Sequence, residues 1–217
     1  MCLDICTVSH KMRGDEFYAR WYKMIARRGR PPAYDREAAL MAIAEAFRLR
    51  GYAAASLDEI ARAAGMNRPS LFAAFGNKKA MYLAALEDYR RRMEQAVSPA
   101  LEGEGPLGDA LTGFFDAAIG FYGEGAAPGC LVLCTATAEA PADEEIAAAL
   151  ADTISGIEAQ LTARIAREAA DGEAAGLAQL MVSVLICIAV QARAGADEAA
   201  LKRFARASVA AALRQAL

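Results

Sequence analysis

SLDEIARAAGMNRPSLFAAF, residues 56–75, is the stretch whose reading decides the fold. Ser56 followed three residues later by Glu59 has the form of a capping box, in which each side chain satisfies a backbone N–H at the start of a helix. Leu57, Ile60, Ala61 and Ala64 then recur at helical spacing. Gly65 follows, where a helix stops and a positive φ is easily adopted. Asn67 can cap a second helix, with Pro69 in a first turn where its missing N–H loses no partner. Leu71, Phe72 and Phe75 form the expected inward face of that helix, leaving Arg68, Ser70, Ala73 and Ala74 more outward. Two short helices around a glycine turn make a helix-turn-helix, whose second member enters the major groove with its N-terminal residues leading. A plain helical hairpin inside an all-α core has the same local pattern.

The flanks bear on that choice. A helix is expected over 35–50, with Ala39, Leu40, Ile43, Ala44 and Phe47 as its apolar stripe and Gly51 as its end. FGNKKAMYLAALEDY follows the motif directly. At this point the chain resembles the TetR family of one-component transcriptional regulators. The residues that carry the resemblance are Ala44, Phe47, Gly51 and Tyr52, then Ser56, Ile60, Ala61, Ala64-Gly65, Ser70-Leu71-Phe72, Phe75 and Lys78. They span roughly 60 residues, about the size of a small helical DNA-binding module. The resemblance implies an all-α fold: a three-helix helix-turn-helix DNA-binding domain over residues 33–97, and a helical ligand-binding and dimerisation domain over 98–217. It also implies DNA contacts from Ser56, Asn67, Arg68, Pro69, Ser70, Phe72 and Lys78. Two positions depart from the family, which usually has Tyr at 72 and often His at 74, so the hydroxyl that commonly reaches a phosphate is missing here.

Charge supports a two-ended molecule. The net charge is only −3, yet residues 1–100 hold 17 Lys and Arg against 11 Asp and Glu, and residues 101–217 hold 7 against 16. A basic front and an acidic back suit a protein that docks one end on phosphate. Residues 1–32 read as a flexible basic arm. Within it RRGRPP, residues 27–32, is short, basic and extended, and Arg28 and Arg30 are placed to enter a minor groove; a solvated basic linker is the alternative. Lys78 opens the next helix, where a cation opposes the macrodipole unless a phosphate sits beside it, so Lys78 is assigned a phosphate contact. For Lys79 a phosphate contact and a solvated position both stay open, and Arg90-Arg91-Arg92 read as a solvated face.

That helix is expected from Lys79 to Val97, ending before Pro99, with a loop over 98–108. Further helices are expected over 107–123, over 128–139 with Pro141 as a stop, and over 143–169, 173–194 and 197–216. The last two are Ala-rich and either form a dimer interface or complete a monomer core. The apolar run Leu177 to Ala192 carries Gln179 and Gln191 and reads as a buried core helix, with no membrane partner implied.

An enzyme is excluded by the motifs: there is no phosphate loop, nucleophile elbow or metal-ligand cluster, and His10 is the single histidine. No metal or cofactor is expected. Five cysteines without framework spacing point to reduced thiols in the cytoplasm. The resemblance implies that the second domain takes a small-molecule effector in an apolar pocket, for which Phe114, Phe115, Phe121, Tyr122, Gln179 and Met181 are the expected lining. The resulting expectation is a homodimeric regulator, acting as a repressor released from a palindromic double-stranded DNA operator by a small apolar or amphipathic effector. Two alternatives stand beside it: a thiol-based redox sensor acting through Cys130 and Cys134, and a non-specific architectural DNA-binding protein.

Overall fold

The computed structural model describes residues 34–169 and 172–216, with side chains as far as Arg214. Arg28, Arg30 and the rest of the basic arm lie outside the described residues. The described residues from Glu37 onward form one compact unit, which holds every helix except for Arg36, the first residue of the first one. Every regular element among the described residues is helical.

Helix α1 spans Arg36–Ala54 and buries Ala39, Ile43, Ala44 and Phe47 of the expected stripe, with Leu40 half-buried. Gly51 breaks it, at φ 76° and ψ 169°, and the chain then regains one helical turn. Helix α2 spans Leu57–Ala63 and begins with the full capping box: Ser56 Oγ accepts from the Glu59 N–H, and the Glu59 carboxylate accepts from the Ser56 N–H. Those bonds, the Ser56 backbone N–H first, hold the Glu59 carboxyl below its usual range. Gly65 makes the turn at φ 63°, in the left-handed region that a side chain with a Cβ rarely adopts. Helix α3 spans Arg68–Phe75, with Asn67 Oδ1 accepting from the Ser70 N–H and Pro69 in the first turn. Leu71 is fully buried and Phe75 nearly so, in one cluster with Ile43, Phe47 and Ile60.

Helix α4 spans Lys78–Glu102 and departs from expectation, because it runs through Pro99 for another turn. Proline removes one backbone bond and crowds the preceding turn. Here that cost falls in the last turn of a long helix, and continuing the helix buries Leu101 behind Val97. The expected loop over 98–108 therefore shrinks to 103–106.

Beyond it lie α5 (Leu107–Gly123), α6 (Glu144–Ile165), α7 (Glu173–Arg193) and α8 (Glu198–Ala216). Helix α4 packs on α5 and α6, α5 on α7 and α8, α6 on α7, and α7 on α8. The segment expected as one short helix over 128–139 is irregular. It contains a π-helical turn at Val132–Ala136, one α-turn at Thr137–Glu139 and a 3₁₀ turn at Ala140–Ala142 that includes Pro141. Helix α7 is the one helix among the described residues long and apolar enough to cross a membrane, and half of that stretch is buried against the other helices. It is not buried all round, as the sequence suggested: Gln179, Leu180, Ser183, Cys187 and Val190 are exposed.

Candidate nucleic-acid interface

The first turn of α3 carries Arg68, Pro69 and Ser70, and all three are exposed. The inward residues Leu71 and Phe75 fix the rotation of the helix and so determine which residues face out. Phe72 is 42% exposed, which corrects its assignment to the inward face. At 100° per residue Phe72 follows Leu71 round the helix and shares the outer side with Pro69. An exposed aromatic ring at this position can pack on deoxyribose while the Arg68 and Ser70 side chains bond to phosphate or base edges. Arg68 Nε lies 2.6 Å from Asp58 Oδ1, so the free protein holds the guanidinium across the turn to the first turn of α2. Ser56 and Asn67 are exposed, and both use their side chains as caps.

Lys78 opens α4 behind the Asn77 cap. Its Nζ donates to the Ala53 carbonyl at 3.1 Å and lies 5.0 Å from the centre of the Tyr52 ring. The ammonium thus ties the end of α1 to the start of α4, and keeps further N–H groups for an anion. Lys78→Ala should weaken binding to every duplex alike and reduce the slope of log K against log salt by about 1. An unchanged slope accompanied by a lower melting temperature would make Lys78 a structural tie only.

Lys79 is not solvated. It pairs with Asp143 at 2.8 Å and with Glu145, at the start of α6, and those carboxylates raise its pKa, Asp143 foremost. The arginine run is likewise engaged. Arg90 pairs with Glu87 and Glu94, Arg91 with Asp88 and Glu37, and Arg92 with Asp88. The Arg92 guanidinium also lies 5.7 Å from the centres of the Tyr89 and Phe121 rings.

The reading helices are fastened to the rest of the chain at three places. Lys79 is one. Tyr82 is the second: its hydroxyl meets Thr135 Oγ1 at 2.6 Å, and since Thr135 donates its own proton to the Leu131 carbonyl, Tyr82 is the donor. Burial pushes the Tyr82 phenol up to about 12, so it keeps that proton at neutral pH. The third place is buried Arg48, on α1. It bonds Glu45 and the carbonyls of Tyr122, Glu124 and Gly129, while Glu45 accepts from the N–H groups of Ala126 and Ala127. Sequence reasoning missed all three. A signal existed only for Arg48, which stands one helical turn after Ala44 on the buried stripe.

The expected effector residues are not brought together. Phe114 and Phe115 pack edge to face, 5.2 Å between centres, deep in the core. Phe121 packs against Tyr89, and Met181 is fully buried. Gln179 is exposed on α7 and lines no interior. A cleft of 240 Å³ between α4 and α6 includes Tyr122 among its walls, the one residue of the six that does so.

Cys130 is buried and its thiol is pushed up to about 12, chiefly by desolvation; burial raises Cys134 as well. A reactive thiol requires the opposite shift. Among the three cysteines of the described residues, iodoacetamide should therefore label exposed Cys187 first, and Cys130 only as the pH climbs toward 12 or the chain unfolds. Peptide mapping after brief labelling at pH 7 checks this, and prompt modification of Cys130 would restore the thiol-sensing alternative.

Known proteins carry the same arrangement. Residues 39–85 match a family model described as bacterial regulatory proteins, tetR family. The chain is 29% identical over 178 residues to the HTH-type transcriptional repressor ComR of Escherichia coli (strain K12), covering 78% of this chain and 85% of that one. It is 32% identical over 106 residues to the HTH-type transcriptional repressor BdcR of the same organism, covering 48% and 54%. Among solved structures, a cysteine mutant of the TetR family transcriptional regulator CifR, complexed with 26-bp double-strand operator DNA, superposes with a TM-score of 0.76 at 27% identity. That match covers 84% of this chain and 99% of that one.

Proposed function

We propose that this chain, which belongs to the TetR family of DNA-binding transcriptional regulators, acts as a homodimeric repressor that binds a palindromic operator and leaves it when a small apolar or amphipathic effector binds. The observation that carries the proposal is the orientation of α3: Leu71 and Phe75 are buried, and Arg68, Pro69, Ser70 and Phe72 are offered outward. Base reading falls to Arg68, and backbone contacts to Ser56, Asn67, Pro69, Ser70, Phe72 and Lys78. Arg28 and Arg30, in the arm, would add minor-groove contacts.

A dimer is supported by the exposed faces of α7 and α8, where Leu180 (46%), Val190 (53%) and Phe204 (37%) are open to solvent. Apolar residues gathered on two adjacent helices are what a second copy would cover. Two reading helices must then stand about 34–36 Å apart to reach successive major grooves. The 26-bp operator of CifR is long enough for two such half-sites, and ComR is a repressor aligned over most of its length. The test combines sedimentation with sequencing of the duplexes retained from a random pool. A dimer that enriches one inverted repeat is expected. Equal retention of all duplexes would favour the architectural alternative, and a monomer at micromolar concentration would remove the dimer.

A further inference from the structure

Among the described residues, four buried side-chain atoms have no hydrogen-bond partner: Arg48 Nε, Arg164 Nε, Asp116 Oδ1 and the Tyr122 hydroxyl. In the first three the same side chain is bonded through another atom. Tyr122 has no such relief, although its residue is 1% exposed. The Cys130 thiol beside it is a weak acceptor and a poor substitute for an oxygen. A buried hydroxyl left unpaired costs free energy, and native chains leave few of them. Tyr122 is also a wall of the cleft between α4 and α6.

That cleft is small and mostly apolar. Met93 and Val97 of α4, Val132 of the π-turn and Ile157 of α6 form its sides, and Gly156 leaves a gap in α6. At 240 Å³ it lies below the roughly 300–1,000 Å³ of sites for drug-sized ligands. Glu94 accepts from Gln160 Nε2 at 3.1 Å across the rim and pairs with Arg90 at 3.4 Å, so the charged and amide groups satisfy one another at the mouth. Inside, the unmet polar need is a single donor.

We infer that the α4–α6 cleft binds a compact, uncharged, largely apolar molecule with one hydrogen-bond acceptor, such as a small ketone or ester, whose oxygen accepts from the Tyr122 hydroxyl. Burial holds the Tyr122 phenol protonated, in keeping with a donor. Arg90, the cation among the lining residues, is already paired with Glu87 and Glu94, so a carboxylate would have to shed its hydration among apolar walls without a free cation to meet it. The cleft is also connected to the reading helices. Val132 and Cys130, in its wall, belong to the segment whose Gly129 carbonyl is held by Arg48 and Tyr89 and whose Thr135 is held by Tyr82. A molecule that displaces this wall bears on the fastenings of α1 and α4. The inference rests on the effector reading proposed above and names the chemistry of that effector.

Acetophenone, ethylbenzene and benzoate serve as probes, with binding measured by calorimetry on the full chain without DNA. Acetophenone is expected to bind at sub-millimolar concentration, ethylbenzene roughly tenfold more weakly for want of the hydrogen bond, and benzoate not at all. Tyr122→Phe should bring acetophenone down to the level of ethylbenzene and leave ethylbenzene unchanged. Gly156→Leu should abolish binding of both, and it should fold, because a Cβ there meets nothing within 4 Å. No binding of acetophenone, selectivity that survives Tyr122→Phe, or binding that survives Gly156→Leu would each overturn the assignment. Duplex retention is scored separately: a chain that retains its operator but binds no probe loses this site and keeps its regulatory role. One that binds acetophenone but no duplex keeps the site and loses the role.

Discussion

Arg48→Ala should destabilise the protein by about 3–5 kcal/mol, the range for removing one member of a buried ion pair. Arg48 is 5% exposed, and its guanidinium serves four acceptors: Glu45 at 3.0 Å, and the carbonyls of Glu124 at 3.0 Å, Gly129 at 3.2 Å and Tyr122 at 3.3 Å. It also lies 5.5 Å from the centre of the Tyr89 ring. Alanine would leave the Glu45 carboxylate without its cation and take a donor from three carbonyls, of which Gly129 keeps the Tyr89 hydroxyl and Tyr122 keeps the Gly129 N–H, and it would open a cavity besides. At about 2–4 °C per kcal/mol for a chain of this size, the melting temperature should fall by roughly 10 °C. Arg48→Lys should recover little, since one ammonium cannot reproduce a planar fork. The double variant Arg48→Met, Glu45→Met should be less destabilised than the two single losses summed, because the orphaned charge is gone. A loss under about 1 kcal/mol for Arg48→Ala would mean that the loop at 124–129 is held by other contacts.

Arg68→Ala should leave stability almost unchanged and alter what the protein reads. The Arg68–Asp58 pair is more than half exposed on both sides, and such pairs contribute about 0–1 kcal/mol. A bidentate arginine contact to a base is worth about 1–3 kcal/mol of discrimination, so preference at one position of each half-site should relax by roughly ten- to a hundredfold. Asp58→Asn should act in the opposite sense, since it removes a carboxylate that competes with DNA for the guanidinium. Quantitative binding to single-base variants of the selected operator measures both effects. An Arg68→Ala protein with its base preference intact would shift base reading to Ser70 or to the arm.

Much of the reading head is legible residue by residue. The capping box at Ser56 and Glu59, the Gly65 turn and the Asn67 cap are local chemistry, settled within four residues of sequence, and each has the form its residues dictate. Phe72 shows where local pattern stops. An aromatic next to Leu71 reads as core by type, but one 100° step of helix puts it outside, and only the packing of Leu71 and Phe75 settles that rotation. Pro99 shows the same limit in the other direction, since a local helix breaker is overridden by the burial of Leu101. The partners of Lys79 and Arg48 lie some 65 to 80 residues further along the chain, and no periodicity connects them.

The sequence by itself determined that the chain is helical, where its reading helices begin and turn, and which family it resembles, because those follow from short-range capping, spacing and motif. Only the tertiary structure decided which cations are already paired, which aromatics are core and which of them face a cleft. Those properties depend on which surfaces of distant helices meet, and pairing a charge or leaving a hydroxyl unpaired is an outcome of that meeting.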